Sequence, residues 1–424
     1  MLSSPIRFVS IIYAGFNIKM KKSVLFITHL YYPSPGGAER VFQKIAEGLA
    51  RRGFQVTVLT SDALSTEQYF TLAVNNLSGQ EVVNGVRVLR EPLSAKIYKY
   101  FKFIDRPLRK AGRLGVFLRP LFFGPHFLRT FKEVLKEKVD VLVAGPTPTS
   151  TVFYGLFYKI RKPGTRFMVV PCMHTADRLH TSWLNLWAIK KADAVLALTD
   201  AEKKYLRLRS VREEKIQRIA CGVDEYFLMA PRTEAGKLKD YVLYLGQEGE
   251  HKRIPLLIKA MKNLRDRDCE NALVVAGARA NFSYEIDRII SGLPQSARSR
   301  IYRFNNFSEE QKIALLDNCL MMVNPSAHES FGIVFLEAWA RGKPVIGANI
   351  PTLREIIRDG ENGLLFDDRE EEDLERKILK ILGNRELGLK MGQAGHRDIS
   401  EKYTWDRIVD KIVGTFFPGI STKI

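Results

Sequence analysis

From residue 23 onward, short apolar runs of strand length alternate with longer stretches whose apolar positions recur at helical spacing, and the alternation starts twice. Strand and helix in regular succession are the pattern of parallel sheets with helical crossovers, which confines the fold to the α/β class. In the first half, 23–29, 55–60, 139–144, 166–170 and 194–198 read as strands. A helix over 38–52 turns Val41, Phe42, Ile45, Ala46 and Leu49 inward and stops at Gly53. In the second half, 241–245, 272–276, 301–304, 321–323 and 344–347 repeat the pattern. At 424 residues the chain exceeds what one hydrophobic core serves. Two α/β domains of about 200 residues each are therefore expected, with the polar stretch 231–239 at the edge of their linker.

Hydrophobic residues make up 46% and charged residues 27% of the chain, the balance of a globular enzyme rather than a fibrous or disordered protein. The segment 6–18 is moderately apolar but too short to span a bilayer, so 1–20 is read as an extension outside the fold, with Met20 a candidate start. Cys172, Cys221, Cys269 and Cys319 form no CxxC pair, which argues against a disulfide scaffold or zinc site and favours a reducing compartment.

The 66 Lys and Arg against 47 Asp and Glu leave a net charge of +19, implying attraction to nucleic acid, anionic lipid headgroups or phosphorylated substrates. The excess concentrates over 96–129, where Lys96, Lys99, Lys102, Arg106 and Arg109 interleave with Tyr98, Tyr100, Phe101 and Phe103, and only Asp105 opposes them. Cations among aromatics suit an interfacial element seated in lipid headgroups, or equally a basic helix pair with an aromatic core. No recognised DNA or RNA motif accompanies them, so nucleic acid is not an expected partner.

Two loops carry chemistry. The first, 30–37, places Gly36 and Gly37 at the opening crossover, where doubly wound sheets bind ligands. It is not GxGxxG, which argues against a dinucleotide. The second follows the apolar run 319–323, which Asn324-Pro325 ends because proline has no amide for a ladder. After Gly332, the residues Ile333, Leu336 and Ala340 recur at helical spacing as far as Arg341-Gly342-Lys343-Pro344, a basic last turn with a glycine stop. The amides of Phe331, Gly332 and Ile333 at this helix start can face an anion such as a diphosphate, with Gly332 leaving room for close approach. Glu329 stands in the loop and Glu337 in the helix, separated by up to about 12 Å. One carboxylate can then reach a sugar hydroxyl while the other reaches a ribose. As an isolated pair the same glutamates would read as a solvated helix face, and it is Ser326, Phe331, Gly332 and the strand before them that favour a site.

The segment from Asn324 to Ala338 resembles the hallmark of the retaining group 1 (family 4) glycosyltransferases of the GT-B architecture, an E-x7-E spacing inside PS-x-x-E-x-FG-x-x-x-LEA. Residues 218–224 are similar to the family's I-P-N-G-V-D junction. The resemblance implies two Rossmann-like domains facing across a cleft: an N-terminal acceptor domain over 21–217, a C-terminal nucleotide-sugar domain over 218–400, and a closing helix over 401–424 that returns to the first domain. It implies that Glu337 holds the ribose and Glu329 the donor sugar hydroxyls, with Ser326, Phe331, Gly332 and Ile333 around the donor and Gly36 and Gly37 near its phosphate.

Residues 246–252 resemble the family's G-R-x4-K segment, in which arginine and lysine hold the diphosphate. Lys252 keeps its place, but Gln247 replaces the arginine and lacks its charge-assisted fork. Arg253, where the family usually has glycine, is the candidate to share that task. His174 resembles the strand-end histidine beside the reacting sugar, and 192–199 resembles AD-x-V-x-x-x-S, with Thr199 bordering the acceptor. Asp266-Arg267-Asp268 is a D-x-D, which in another glycosyltransferase architecture binds a divalent metal; in a charged run at a helix end it reads as a solvated terminus, and neither metal nor cofactor is expected.

The implied activity is metal-independent, retaining transfer of a sugar from a nucleotide sugar to a glycan or lipid-linked acceptor, by a cytoplasmic protein peripheral on the inner face of an anionic membrane. An epimerase or phosphorylase of the same fold, and a basic membrane-binding protein that has lost catalysis, are the competing readings.

Overall fold

A computed structural model of the protein describes residues 22–417 except 67, 72–76, 78, 176 and 234–237, so the extension 1–20 and the end of 401–424 lie outside the described residues. The first eight strands are Ser23–Ile27 (β1), Gln55–Ser61 (β2), Gln80–Val83 (β3), Val86–Glu91 (β4), Val141–Ala144 (β5), Arg166–Val169 (β6), Ala194–Ala197 (β7) and Ile216–Arg218 (β8). They form one sheet in the order β3-β4-β2-β1-β5-β6-β7-β8, parallel except where β3 runs against β4. The remaining six are Tyr241–Leu245 (β9), Leu273–Ala276 (β10), Ile301–Phe304 (β11), Cys319–Asn324 (β12), Val345–Ala348 (β13) and Gly363–Phe366 (β14). These form an all-parallel sheet in the order β11-β10-β9-β12-β13-β14.

The central strands are continuous apolar runs because helices cover both faces of a parallel sheet; Val24, Leu25, Phe26 and Ile27 are all buried. In each sheet the strand order reverses at one place, between β1 and β5 and between β9 and β12. Crossovers leave to opposite faces there, and the loops at the carboxyl ends part to form a crevice. The loops so placed are 28–36 in the first sheet, and 246–253 and 325–332 in the second.

The β3–β4 hairpin is absent from the reading of the sequence, yet its signature is present: Asn84-Gly85 turns between Val83 and Val86 with φ of 49° and 81°, as a tight two-residue hairpin requires. The basic stretch divides into the helices Ala95–Lys110 and Gly112–Leu118. Its aromatics divide: Tyr98 and Phe127 are buried, whereas Tyr100 and Phe103 are 63% and 79% exposed. Asp105 accepts from Arg109 at 2.5 Å and from Arg119 at 2.9 Å. The side chains of Phe101 and Lys102 lie outside the description. No helix among the described residues is long and apolar enough to cross a membrane.

The last helix, Trp405–Phe416, buries Trp405, Ile408, Val409, Ile412, Val413 and Phe416, a spacing that gathers one apolar face. That face rests on the helix Gly37–Arg51 of the first lobe, and contact is close because Gly48 has no side chain: a Cβ there would fall 2.6 Å from Val409 Cγ2. Arg52 Nε donates to Asp410 Oδ1 at 2.8 Å, and the rings of Phe54 and Phe417 meet edge to face at 4.7 Å. Where the chain recrosses between lobes, Val223 N donates to Tyr403 O at 2.7 Å.

Candidate active site

Loop 246–253 leaves β9 and turns back through the short 3-10 helix Glu250–Lys252, while loop 325–332 leaves β12. The two are laced together, Ala327 N donating to His251 O at 2.9 Å. Lacing brings Lys252 Nζ to 2.5 Å from Glu329 Oε1, with the two side chains 15% and 10% exposed. Burial pushes the Glu329 carboxyl up, but the touching Lys252 ammonium, and His174 and His251 beyond it, hold it below the ordinary carboxylate range.

Gly332 caps the helix Ile333–Ala340 at φ +96°, in the left-handed region that favours glycine. A Cβ there would fall 2.9 Å from the Phe335 ring. The amides of Phe331, Gly332 and Ile333 have no backbone acceptor among the described residues, the state in which a helix start receives an anion. One turn inside, Glu337 is buried and accepts from Lys312 Nζ at 3.2 Å. Lys312 also donates to Glu309 Oε1 at 3.1 Å. Arg40 reaches this group from the first lobe, pairing with Asp224 and standing 3.6 Å from Glu309 Oε2. Burial raises the Glu337 pKa, Lys312 opposes it, Glu309 adds to it, and Arg40 opposes again.

Across the cleft, Ser330 Oγ donates to Cys172 O at 3.2 Å, fastening the Glu329 loop to the segment that carries His174. The His174 ring stacks on His180 at 4.9 Å between centroids and lies 5.9 Å from His251. Burial lowers its pKa, so the ring is neutral at neutral pH. Below it the buried Glu202 accepts from Met173 N at 2.8 Å and Leu198 N at 2.7 Å, which holds the segment in place. On the first-lobe loop, Gly36 precedes the helix Gly37–Arg51, and a Cβ on Gly36 would fall 1.9 Å from Glu39 Oε2. Around Gly37 there is open space.

Residues 35–226 match the family model described as Glycosyltransferase Family 4, and residues 230–398 match the one described as Glycosyl transferases group 1. The chain belongs to the group 1 (family 4) glycosyltransferases. A glycosyltransferase of Methanocaldococcus jannaschii is 28% identical over 93% of this chain and 97% of its own length. Another from the same organism is 30% identical, over a stretch that spans 40% of this chain and 46% of that relative. Among solved structures, HepE of Anabaena in complex with UDP and glucose has a TM-score of 0.69 at 17% identity, covering 93% of this chain and 99% of that one. The fold of this group 1 glycosyltransferase is GT-B, two Rossmann-like domains facing across a cleft.

Several residues of this glycosyltransferase that the sequence singled out have partners within the protein or lie at its surface. The Ser326 hydroxyl, expected beside the donor, is buried and donates to His328 O at 2.9 Å, so it braces its own loop. The Thr199 hydroxyl, expected on the acceptor side, is buried and accepts from Glu202 N at 3.0 Å as the cap of the helix Asp200–Leu208. Arg253 is the left-handed residue that starts the helix Ile254–Arg265, and its guanidinium donates to Asp368 Oδ2 at 2.9 Å rather than joining Lys252. Gln247 is exposed, and its carbonyl accepts from the Tyr244 hydroxyl at 3.0 Å. Phe331 is buried with its ring 6.1 Å from that of Tyr403. Asp266, Arg267 and Asp268 are exposed beyond a helix end, with Asp266 accepting from Lys262 at 2.7 Å.

Sequence reasoning overlooked Glu39, which is buried and pairs with His29 at 3.0 Å. Its signal was its place two residues after the glycine pair. Lys312 and Arg40 gave no local signal of this role, because Lys312 meets Glu337 and Arg40 meets Asp224 only through the tertiary fold.

Proposed function

We propose that this protein transfers a sugar from a nucleotide-sugar donor to a glycan or lipid-linked acceptor, with retention at the anomeric carbon and without a metal ion. The observation that carries the reading is the Lys252–Glu329 pair set beside the unpaired amides of Phe331, Gly332 and Ile333. Fixed positive charge and oriented acceptors at opposite ends are what departure of a diphosphate from a sugar demands. The UDP and glucose held by HepE support a nucleotide-sugar donor.

In this reading the diphosphate rests on those amides and on Lys252, with Gly36 and Gly37 approaching from the first lobe, and Glu337 takes the ribose hydroxyls. Glu329 takes hydroxyls of the donor sugar, and His174 lies alongside it. Donor binding draws Lys252 from Glu329 to the phosphate, so the ion pair of the free protein is exchanged for two contacts with the donor. The anomeric C–O bond breaks with its electron pair going to the diphosphate. The acceptor oxygen bonds to the same face, and its proton passes to the departing phosphate. Gln247 gives this leaving group a neutral neighbour where an arginine would stabilise it more. We assign donor binding to 218–400 and acceptor binding to 21–217, with 401–424 tying them together. The exposed Tyr100 and Phe103 beside exposed Lys99 and Arg106 support peripheral attachment to an anionic cytoplasmic membrane face.

Screening UDP-, GDP- and ADP-sugars for thermal stabilisation identifies the donor, because a ligand bound only by the native form raises the melting temperature. With that donor, Glu329→Ala is expected to abolish transfer while leaving the far-UV circular dichroism unchanged. Turnover near the wild-type rate, or no stabilisation by any of the panel, overturns the reading.

A further inference from the structure

A cavity of about 470 Å³ opens between the lobes beside the Lys252–Glu329 pair, a size that suits a small ligand. The basic stretch forms its outer wall through Val116 and Arg119; His174 and Arg178 close one side, and His251 and His328 of the second lobe the other. Its charge is one-sided. Asp177 is the single carboxylate among the described residues of the lining, and its Oδ1 already accepts from Leu179 N at 2.7 Å and His180 N at 3.1 Å.

The two guanidiniums are less committed. Arg119 uses Nε on Asp105 at 2.9 Å, a carboxylate it shares with Arg109, and its terminal N–H groups have no acceptor among the described residues. Arg178 has no side-chain acceptor among the described residues at all. The imidazoles of His174 and His251, kept neutral by burial, add hydrogen-bonding nitrogens without adding a negative charge. A neutral glycan has no need of one unpaired guanidinium and a second whose terminal N–H groups are open. A phosphate oxygen pair matches them, because the planar fork binds phosphate bidentately. His251 and His328, which line the cavity, are the chain neighbours of Lys252 and Glu329, so in the transferase reading above whatever fills the cavity lies near the transferring sugar.

We propose that the acceptor carries a phosphate group, received by Arg119 and Arg178 in the interlobe cavity beside His174; this rests on the transferase reading above. The phosphate belongs either to a lipid headgroup or to a soluble sugar phosphate, and the two share this recognition chemistry.

The test titrates the full chain with inorganic phosphate at constant ionic strength, following the histidine C2 proton resonances. Saturable shifts are expected in the wild type and in Lys252→Ala, with the apparent Kd at least tenfold weaker in Arg178→Gln and in Arg119→Gln. Competition by dihexanoyl phosphatidic acid and by glucose 6-phosphate then separates the sources: tighter displacement by the first marks a lipid acceptor, by the second a soluble one. The proposal is overturned if no saturable shift occurs, or if the response vanishes in Lys252→Ala and survives both arginine variants, which would place the phosphate at the donor end. Nucleoside diphosphate binding, scored on the same samples, reports separately on the donor reading.

Discussion

Glu355 of the second lobe and Ala201 of the first are joined by a hydrogen bond of 2.5 Å, from the Ala201 amide to Glu355 Oε1, and Glu355 Oε2 accepts from Asp200 N at 2.7 Å. A carboxylate of one lobe thus caps the N-terminus of a helix in the other, where the macrodipole favours negative charge. Caps of this kind are worth about 1 kcal/mol. Glu355→Ala should release the lobes at this point, seen as faster hydrogen exchange of the amides of Asp200 and Ala201 with the sheet core still protected. Unchanged protection would show that the cap does not hold the lobes together.

Gly36 and Gly37 separate packing from ligand approach. Alanine at Gly36 must displace the Glu39 carboxylate, which is held by His29 at 3.0 Å, so Gly36→Ala should lower the melting temperature and activity together. Alanine at Gly37 meets nothing within 4 Å and is favoured in a helix by up to about 1 kcal/mol. Gly37→Ala is expected to keep or raise stability yet raise KM for the donor, because the new methyl occupies the space assigned to the phosphate. An unchanged KM would remove Gly37 from the donor site.

Glu337 links donor binding to pH. Burial raises its pKa and Lys312 restrains the rise, and the anionic form is the stronger acceptor for ribose hydroxyls. Donor affinity should therefore fall as pH drops through that raised pKa. Lys312→Met removes the restraint and should move the acid limb of the affinity profile to higher pH. A limb that stays in place would show that Lys312 does not set the charge of Glu337.

Burial holds His126 at about 4 and His251 at about 4. Unfolded imidazoles take up protons near pH 6.5, so folding stability from these groups is present above that value and is lost as pH falls toward 4. For one such group the loss reaches roughly 3 kcal/mol at most. Glu202, pushed up to about 7 by burial, works in the opposite direction over part of this range, so the check is differential. Urea unfolding of His126→Phe and wild type should diverge on acidification in favour of the variant; parallel curves would assign the acid sensitivity elsewhere.

The sheets were legible where apolar runs are long, as in β1, β2 and β9, because burial on both faces leaves little choice of residue. The strands β8 and β14, each at one edge of its sheet, were not read. At the site, the spacing of Glu329 and Glu337 and the place of Gly332 at the helix start were readable because the sequence itself puts them on one loop and helix. Lys312 lies 25 positions from Glu337, and Glu355 lies 154 from Ala201, and such partners follow from topology alone. The capping bonds of Ser326 and Thr199 were not legible for a related reason: a hydroxyl beside a ligand and a hydroxyl capping a loop or helix look alike in sequence.

The chain passes between the lobes twice, and the two passages are zipped together where Val223 pairs with Thr404. Gly222 permits this, since a Cβ there would stand 2.5 Å from Trp405 N. Segments bonded side by side can twist as a unit but resist sliding past one another. Any approach of the lobes is therefore expected to turn about this crossing rather than to slide along it, which ties the separation of Lys252 from His174 to the bend at Val223 and Thr404.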